Sequence, residues 1–223
     1  MQVTAWRPRE PDLHGFGVHR DDQGIEWLAR GFDNLLPVSE IGLAGRHNLA
    51  NALAAVAIAD SAGLPMAAIM QALRAFRGLP HRCQLISERG GVRWINDSKA
   101  TNVGAAQAAI DGMGQEHALV LIAGGRGKGG DFTALSRSVS AHCKAVLLIG
   151  DTAAQLEADL AGTAPLQRCD SLEQAVAVAA SLAETGDCVL LSPACASFDM
   201  FRDYAQRGEA FTAAVRDLPG GAA

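Results

Sequence analysis

The sequence lacks a run of like charges and is poor in aromatic residues. Charged residues make up 19% of its 223 residues, aromatic residues make up 5%, and the formal net charge at pH 7 is -5. Binding to nucleic acid or to an anionic membrane without further specificity requires a dense basic surface. The composition therefore excludes that class of protein, and we expect no nucleic-acid partner. It is compatible with a small anionic ligand, which needs only local positive charge.

A paired-cysteine motif and a long apolar run are missing as well. The five cysteines are scattered without a C-x-x-C pair, and an odd number is not typical of a complete secreted disulfide framework. The first residues contain no apolar signal segment, and no apolar stretch approaches the ~20 residues of a membrane helix. We therefore expect a soluble, cytoplasmic, monomeric protein without membrane insertion.

The hydrophobic residues that are present, 49% of the chain, are enough for a sizeable core. The Gly78-Leu79-Pro80 sequence predicts a boundary between residues 1–79 and residues 80–223. The first part has a short hairpin pattern at 15–19 and 25–29, followed by helical patterns at 47–62 and 66–76. Since a hairpin is an unusual domain start, we expect residues 1–79 to be the tail of another domain.

The second part alternates between strand-like and helical patterns. A hairpin at 84–87 and 92–95 is followed by apolar strand-like runs at 118–123, 145–149 and 188–191, with helical stretches at 103–111, 153–161 and 172–183. This alternation predicts an α/β fold, a Rossmann-like and largely parallel sheet with flanking helices.

Ligands of such sheets bind beyond the carboxyl ends of the strands, where connections and helix amino termini converge. Four polar or small-residue segments follow predicted strands and are named here by their residues: loop 96–102, loop 124–131, loop 150–152 and loop 192–199. In loop 96–102, Asp97 and Lys99 could hold a metal-bound phosphate or a nucleotide sugar. As a surface ion pair they would be worth about 0 to 1 kcal/mol, and both interpretations remain open on this segment alone.

Loop 124–131 is rich in glycine and carries Arg126 and Lys128. It does not match a P-loop, because Lys128 is followed by Gly129 instead of Ser or Thr. It does match G-x-G-x-x-G as Gly125, Gly127 and Gly130, with Asp151 about 20 residues further on, as in dinucleotide-binding proteins. A nicotinamide-dependent oxidoreductase half is therefore an alternative.

Loop 192–199 contains Ser192 and Cys195, but the G-x-S-x-G elbow of a hydrolase is absent. Ser197 is better interpreted as the start of a helix whose amino terminus receives a carboxylate. Upstream, Asn48 and Asn51 share a helix face, where their amides could contact a purine or phosphate or serve as caps. Because the histidines lack metal-ligand spacing, we assign no metal site.

Several segments together resemble the Mur ligase family, most closely its members that add D-glutamate. They are GRHNLAN at 45–51, GLPHR at 78–82, WINDSKATN at 94–102, the Lys128 loop, and LSPACAS at 191–197 with Asp199. They occur in the family's order over nearly the whole chain, and the 94–102 segment is highly specific.

The resemblance implies an ATP-dependent ligase of peptidoglycan synthesis that uses Mg²⁺. The carboxylate of UDP-N-acetylmuramoyl-L-alanine becomes an acyl phosphate, and the amine of D-glutamate attacks it to form an amide. The residues that the resemblance assigns to ATP are Asn48, Asn51, Arg82, Asp97 and Lys99. Those that it assigns to D-glutamate are Thr101, Lys128, Ser197, Phe198 and Tyr204. Lys99 and Lys128 are the implied catalytic residues.

The departures from the family pattern are on the amino-terminal side. Nothing in the sequence corresponds to the uridine-nucleotide domain, the phosphate loop or the central-domain ligands of magnesium. The resemblance therefore implies that residues 1–79 are the tail of a P-loop-type ATP-binding domain, and that residues 80–223 are the amino-acid-binding domain. We expect no ligase turnover from this chain alone. A non-catalytic amino-acid-binding module is a second alternative.

Overall fold

The computed structural model describes residues 9–13, 15–42, 46–127 and 129–219, without the side chains of residues 46 and 47. The chain divides into two compact units, Met1–Gly78 and Leu79–Ala223. Each unit has a hydrophobic core of its own and is described by itself.

The first unit contains a three-stranded antiparallel sheet and two helices. Its strands are β1 (Phe16–Arg20), β2 (Glu26–Arg30) and β3 (Asp33–Pro37), and its helices are α1 (Arg46–Ser61) and α2 (Met66–Ala75). Asp21 closes the β1–β2 turn by accepting hydrogen bonds from the amides of Gln23 and Ile25 at 3.0 and 2.9 Å. Apolar residues of the sheet and of both helices form the core, among them Phe16, Leu28, Leu53, Val56 and Met70.

The second unit is built on a six-stranded sheet. Its strands are β4 (Gln84–Arg89), β5 (Val92–Asn96), β6 (Leu119–Gly124), β7 (Cys143–Ile149), β8 (Leu166–Arg168) and β9 (Cys188–Leu191), in the order β4-β5-β9-β6-β7-β8. Only the β4–β5 pair is antiparallel. The carboxyl ends of β5, β9, β6 and β7 therefore lie side by side at one edge, which we call the carboxyl edge.

Helices cover both faces of this sheet, since its central strands are apolar on both sides. The helices are α3 (Val103–Gly114), α4 (Ser136–His142), α5 (Ala153–Asp159), α6 (Leu172–Leu182) and α7 (Tyr204–Arg216). On one face, Val120 and Ile122 of β6 pack with Val176 of α6 and Phe211 of α7. The alternate residues Leu119 and Leu121, also fully buried, point to the other face. No helix in the described ranges is long and apolar enough to span a membrane.

The predicted α/β class with a largely parallel sheet is confirmed. The predicted strands and helices are present with bounds shifted by a few residues, and four elements were missed, β3, α4, β8 and α7. The prediction of a helix start at Ser197 is wrong. Residues 197–201 form a single turn closed by the Phe201 amide on the Ser197 carbonyl at 2.8 Å, and α7 begins at Tyr204.

Candidate functional site at the carboxyl edge

Hydrogen bonds join the loops at the carboxyl edge into one layer. The Gly124 amide donates to the Pro193 carbonyl at 2.9 Å, and Arg126 and Ala196 exchange two backbone bonds at 2.8 and 3.1 Å. The Thr152 hydroxyl and amide both donate to the Gly125 carbonyl, at 2.9 and 3.0 Å. The loops after β6, β7 and β9 are therefore held in fixed register, as a shared binding surface requires.

Asp97 is the buried acid of this edge, with 6% of its surface exposed. Its carboxylate accepts from the Ser192 hydroxyl at 2.8 Å and from the Cys83 amide at 3.1 Å. Burial raises the pKa of Asp97 from 3.8 to about 6, although both hydrogen bonds and the charge of Arg82 act in the opposite direction. Asp97 thus links loop 96–102, the end of β9 and the segment before β4, and it is an anion at neutral pH.

The raised pKa of Asp97 predicts a pH dependence of stability that Asp97→Asn removes. The folded state holds the proton of the Asp97 carboxyl more tightly than the unfolded state. The contribution of Asp97 to the free energy of unfolding is therefore fully present below pH 3.8 and is lost as the pH rises through about 6. The shift corresponds to about 3 kcal/mol at about 1.4 kcal/mol per pH unit. The free energy of unfolding measured in urea should therefore fall more between pH 4 and pH 7 for the wild type than for Asp97→Asn.

The matched control for this measurement is Asp131→Asn, which changes an exposed carboxylate. Hydrogen bonds from Thr133 lower the pKa of Asp131. Its effect on stability therefore has the opposite sign to that of Asp97 and occurs at lower pH. The control should keep the wild-type fall between pH 4 and pH 7. An equal fall in Asp97→Asn would show that Asp97 does not carry the effect.

Lys99 lies two residues after Asp97 in the sequence, and its ammonium contacts an aromatic ring. The Lys99 Nζ is 3.9 Å from the centroid of the Tyr204 ring. His81 meets the same ring edge-on, with a centroid distance of 6.0 Å and an interplanar angle of 79°. A cation over an aromatic face is held in place without losing its charge. The Lys99 side chain is therefore oriented and still able to bind an anion.

Loop 96–102 is fastened to α7 by Ser98 and Arg207. The Ser98 hydroxyl donates to the Tyr204 carbonyl at 2.8 Å, and it accepts from Arg207 Nε at 2.9 Å. The Asn96 side chain donates to the Gly208 carbonyl at 2.9 Å. A Cβ on Gly208 would lie 2.2 Å from the His81 ring, so only glycine permits this close packing. Position 208 is therefore part of what brings Lys99 to Tyr204.

The acceptor segment implied by the resemblance, Ser197 and Phe198, lies in loop 192–199. Ser197 is 2% exposed, whereas Phe198 is 63% exposed. One oxygen of Asp199 accepts from the Asp151 amide at 2.9 Å, and its other oxygen is buried without a hydrogen-bond partner among the described residues. The loop therefore combines one exposed aromatic ring, that of Phe198, with the buried Ser197 and the hydrogen-bonded Asp199.

The glycine-rich loop does not form a dinucleotide-binding turn. After residue 130 the chain makes a 3-10 turn at Phe132–Leu135, and α4 begins at Ser136. A dinucleotide fingerprint requires the helix to start within the glycine motif. The glycines instead allow loops to pack, since a Cβ on Gly125 would lie 2.3 Å from the Ala196 carbonyl oxygen and one on Gly127 would lie 2.8 Å from Thr152. The oxidoreductase alternative loses its main support.

Cys195 is 1% exposed, and its Sγ lies 3.3 Å from the Thr152 hydroxyl. Burial raises the pKa of the Cys195 thiol, which disfavours the reactive thiolate. None of the five cysteines, all of which the structure describes, forms a disulfide, and burial also raises the pKa of Cys143 and of Cys188 to about 12. These thiols therefore pack as small hydrophobic groups.

The structure brings the predicted residues of the second unit to one edge, with one exception. The segments described above contain Arg82, Asp97, Lys99, Ser197, Phe198 and Tyr204. Thr101 donates its amide to the Lys99 carbonyl at 2.8 Å and directly precedes the cap of α3, Asn102. Lys128 lies outside the described residues.

Asn48 and Asn51 belong to the first unit, in the first turns of α1. The Asn51 amide donates to the Asn48 side-chain oxygen at 3.2 Å. No group of three or more His, Cys, Asp or Glu side chains in the described ranges is arranged to hold a metal ion.

Arg207 is the residue of this edge that sequence reasoning missed. It lies on the buried stripe of α7 with Phe211 and Val215, at a spacing of four residues. A charged residue on an apolar stripe was the available signal, together with the cap of α7, where Asp203 accepts from the Gln206 amide at 2.8 Å. The helix was missed because small and polar residues occupy its other faces, which leaves only a narrow stripe of large apolar residues.

A largely parallel α/β sheet with helices on both faces defines a Rossmann-like domain, a class whose ligands bind beyond the carboxyl ends of the strands. The family described as "Mur ligase, glutamate ligase domain" matches residues 81–195. The chain belongs to the Mur ligase family.

Curated relatives are similar over nearly the whole chain. UDP-N-acetylmuramoylalanine--D-glutamate ligase of Nitrosococcus oceani is 53% identical over 208 residues, which cover 93% of this chain and 46% of that protein. The ligase of the same name from Pseudomonas syringae pv. syringae is 52% identical over 211 residues, covering 94% and 47%. The chain thus spans about half the length of these relatives.

Solved structures show the same fold at low sequence identity. Mycobacterium tuberculosis folylpolyglutamate synthase, complexed with ADP, superposes with a TM-score of 0.65 at 18% identity, covering 93% of this chain and 49% of that one. Thermotoga maritima UDP-N-acetylmuramate-alanine ligase gives 0.61 at 17% identity, covering 90% and 46%. At this identity the likeness concerns the fold.

Proposed function

We propose that this chain is part of an ATP-dependent ligase that joins D-glutamate to UDP-N-acetylmuramoyl-L-alanine in peptidoglycan synthesis. The names of the relatives that are 53% and 52% identical to this chain support this activity. Residues 80–223 would form the amino-acid-binding domain, and residues 1–79, with Asn48 and Asn51, would be part of the ATP-binding domain.

The contact between Lys99 and Tyr204 carries the proposal. Lys99 is assigned to ATP and Tyr204 to D-glutamate, and the Lys99 ammonium lies 3.9 Å from the Tyr204 ring centroid. Amide formation needs the acyl phosphate and the attacking amine within contact distance. Because Tyr204 is assigned to D-glutamate, a lysine held on its ring would place a positive charge between the phosphate and the amino acid. Lys99 makes no ion pair with another described side chain that would neutralise this charge.

The proposed roles follow from the chemistry of each side chain. In the reaction the substrate carboxylate takes the γ-phosphoryl group of ATP, the amine of D-glutamate attacks the acyl carbon and loses a proton, and phosphate leaves. Lys99 binds phosphate oxygens, assisted by Arg82, and Asp97 accepts hydrogen bonds from the nucleotide. Lys128 pairs with a carboxylate of D-glutamate, which Thr101, Ser197, Phe198 and Tyr204 enclose.

Mg²⁺ would neutralise phosphate charge in such a reaction. Because the described residues include no cluster of metal ligands, they do not fit a magnesium site by themselves, and no step is assigned to the metal here. Cysteines without disulfides favour a cytoplasmic location, and we propose that the enzyme acts there as a monomer.

An NMR titration of the ¹⁵N-labelled chain with D-glutamate tests the acceptor site. We expect amide shifts in loop 192–199 and at residue 101, and much smaller shifts with L-glutamate, because the positions of two carboxylates and one ammonium distinguish the enantiomers. Lys128→Met should weaken the binding at least tenfold, which corresponds to about 1.4 kcal/mol.

The control variant is Lys144→Met. Lys144 pairs with Glu184 and Asp187 at 3.1 and 2.9 Å, where β7 and β9 begin, at the opposite edge of the sheet. It should keep the wild-type affinity. Equal shifts with both enantiomers, or equal losses in the two variants, would contradict a D-glutamate site at the carboxyl edge.

A further inference from the structure

Arg207 is an almost fully buried guanidinium, with 1% of its surface exposed. It donates to Ser98 twice, from Nε to the hydroxyl at 2.9 Å and from Nη2 to the carbonyl at 2.8 Å. It also donates from Nη2 to the Cys195 carbonyl at 3.1 Å and from Nη1 to the Ala196 carbonyl at 3.3 Å. One side chain thus bonds to two loops that follow different strands.

No carboxylate forms an ion pair with Arg207 among the described residues. Its partners are three carbonyls and one hydroxyl, and burial lowers its pKa to about 10, so that it stays charged at neutral pH. A buried charge without an opposite charge in contact is costly. An apolar side chain would suit the stripe of Phe211 and Val215 better if packing alone decided position 207.

The geometry of guanidinium explains why arginine stands at this position. Its planar group presents five N–H donors in a fixed fork, so it bonds to acceptors on two sides at once, which a single ammonium cannot do. Ser98 directly precedes Lys99, and Ala196 directly precedes Ser197. The guanidinium fork therefore fixes the separation of Lys99 and Ser197.

We propose that Arg207 is a positioning residue that couples the proposed nucleotide side of the site, residues 97–99, to its proposed acceptor side, loop 192–199. The inference rests on the proposed function. Binding of a nucleotide beside Lys99 would change the position of Ser197 through the Arg207 guanidinium. The two ligands would therefore influence each other's affinity.

The first arm of the test needs no ligand. We compare amide spectra of the wild type, Arg207→Met, Arg207→Lys and the exposed control on the same helix, Arg216→Met. Arg207→Met should shift amides in both loops and leave residues 119–122 of β6 unmoved, and the control should shift neither loop. Shifts confined to one loop would overturn the coupling.

The second arm uses D-glutamate and ADP. In the wild type, ADP should change the affinity for D-glutamate at least threefold, and in Arg207→Met this effect should vanish while D-glutamate binding weakens about tenfold. Arg207→Lys keeps the charge without the fork and should behave like Arg207→Met. Wild-type coupling in either variant would overturn the proposal.

The wild-type protein supplies a test that does not depend on the folding of a variant. The Arg207 Nε–H resonance, held against the Ser98 hydroxyl, should move on addition of ADP and also on addition of D-glutamate. If both ligands bind and this resonance moves with neither, the proposal is wrong. If neither ligand binds, the proposed function fails, while the ligand-free arm still decides whether Arg207 joins the loops.

Discussion

Replacement of Gly124 by alanine should destabilise the protein more than any other single added methyl group discussed here. Gly124 has a φ of +121°, and a Cβ there would lie 2.0 Å from the Ile149 carbonyl oxygen. Gly124 pairs with Ile149 across β6 and β7, so the clash cannot be relieved without separating these strands. Backbone strain and overpacking each cost about 1 to 3 kcal/mol, a large part of a typical stability of about 5 to 15 kcal/mol.

Gly162→Ala is the matched control for Gly124→Ala. Gly162 also has a positive φ, +79°, but a Cβ there would have nothing within 4 Å. Urea unfolding should therefore show only the left-handed strain, about 1 to 2 kcal/mol, and the two variants should differ by at least that amount. Equal destabilisation would mean that the close approach of β6 and β7 at Gly124 is not needed.

Substitution of Lys99 by methionine should lower the affinity of the chain for ADP at least tenfold. Methionine keeps most of the apolar stem against Tyr204 and removes the ammonium that lies 3.9 Å from the ring centroid. A charge-assisted bond to phosphate contributes roughly 1.5 to 3 kcal/mol, and tenfold corresponds to about 1.4 kcal/mol. Calorimetric titration with ADP measures the difference.

Lys144→Met again serves as the control, since it removes the same charge from the other edge of the sheet. Its ADP affinity should equal that of the wild type. A similar loss in both variants would indicate a general effect of net charge, and no loss in Lys99→Met would remove Lys99 from the nucleotide site.

The sheet was predictable because its strands are unusually apolar. Every residue of β6 and β9 is buried, and such continuous runs between glycines and polar loops are typical of parallel strands covered on both faces. Since parallel strands end at the same edge, the loops that follow them could be grouped before the structure was known. The predicted helices α3 and α6 are present, and in the structure they begin after the caps Asn102 and Ser171, whose side chains accept from the amides of Ala105 and Gln174.

The elements that were missed depend on tertiary contacts. The strand β8 has three residues and is held by pairing with β7 at Val146–Leu148, which leaves no periodic signal. Apart from its buried stripe, helix α7 consists mostly of small and polar residues, and its stability comes from burying Phe211 and Val215 against α6 and the sheet.

The same limit applies to the site. Asp97 and Lys99 stand out because they follow a strand. The spacing of Arg207 with Phe211 and Val215 indicates that Arg207 is buried, but nothing local indicates that it binds two loops. The error at Ser197 has a related cause. Its small neighbours suggested a helix start, but the turn at residues 197–201 is not continued, and Asp203 caps a separate helix that begins at Tyr204.

The most direct test of a shared site at the carboxyl edge is an amide map of one sample titrated first with ADP and then with D-glutamate. ADP should move amides at residues 82 and 97–99, and D-glutamate should move amides at residues 101 and 195–204. Residues 184–188, at the opposite edge, should stay in place. Shifts that cluster at residues 184–188, or two ligands that compete for the same amides, would contradict adjacent nucleotide and amino-acid sites at the carboxyl edge.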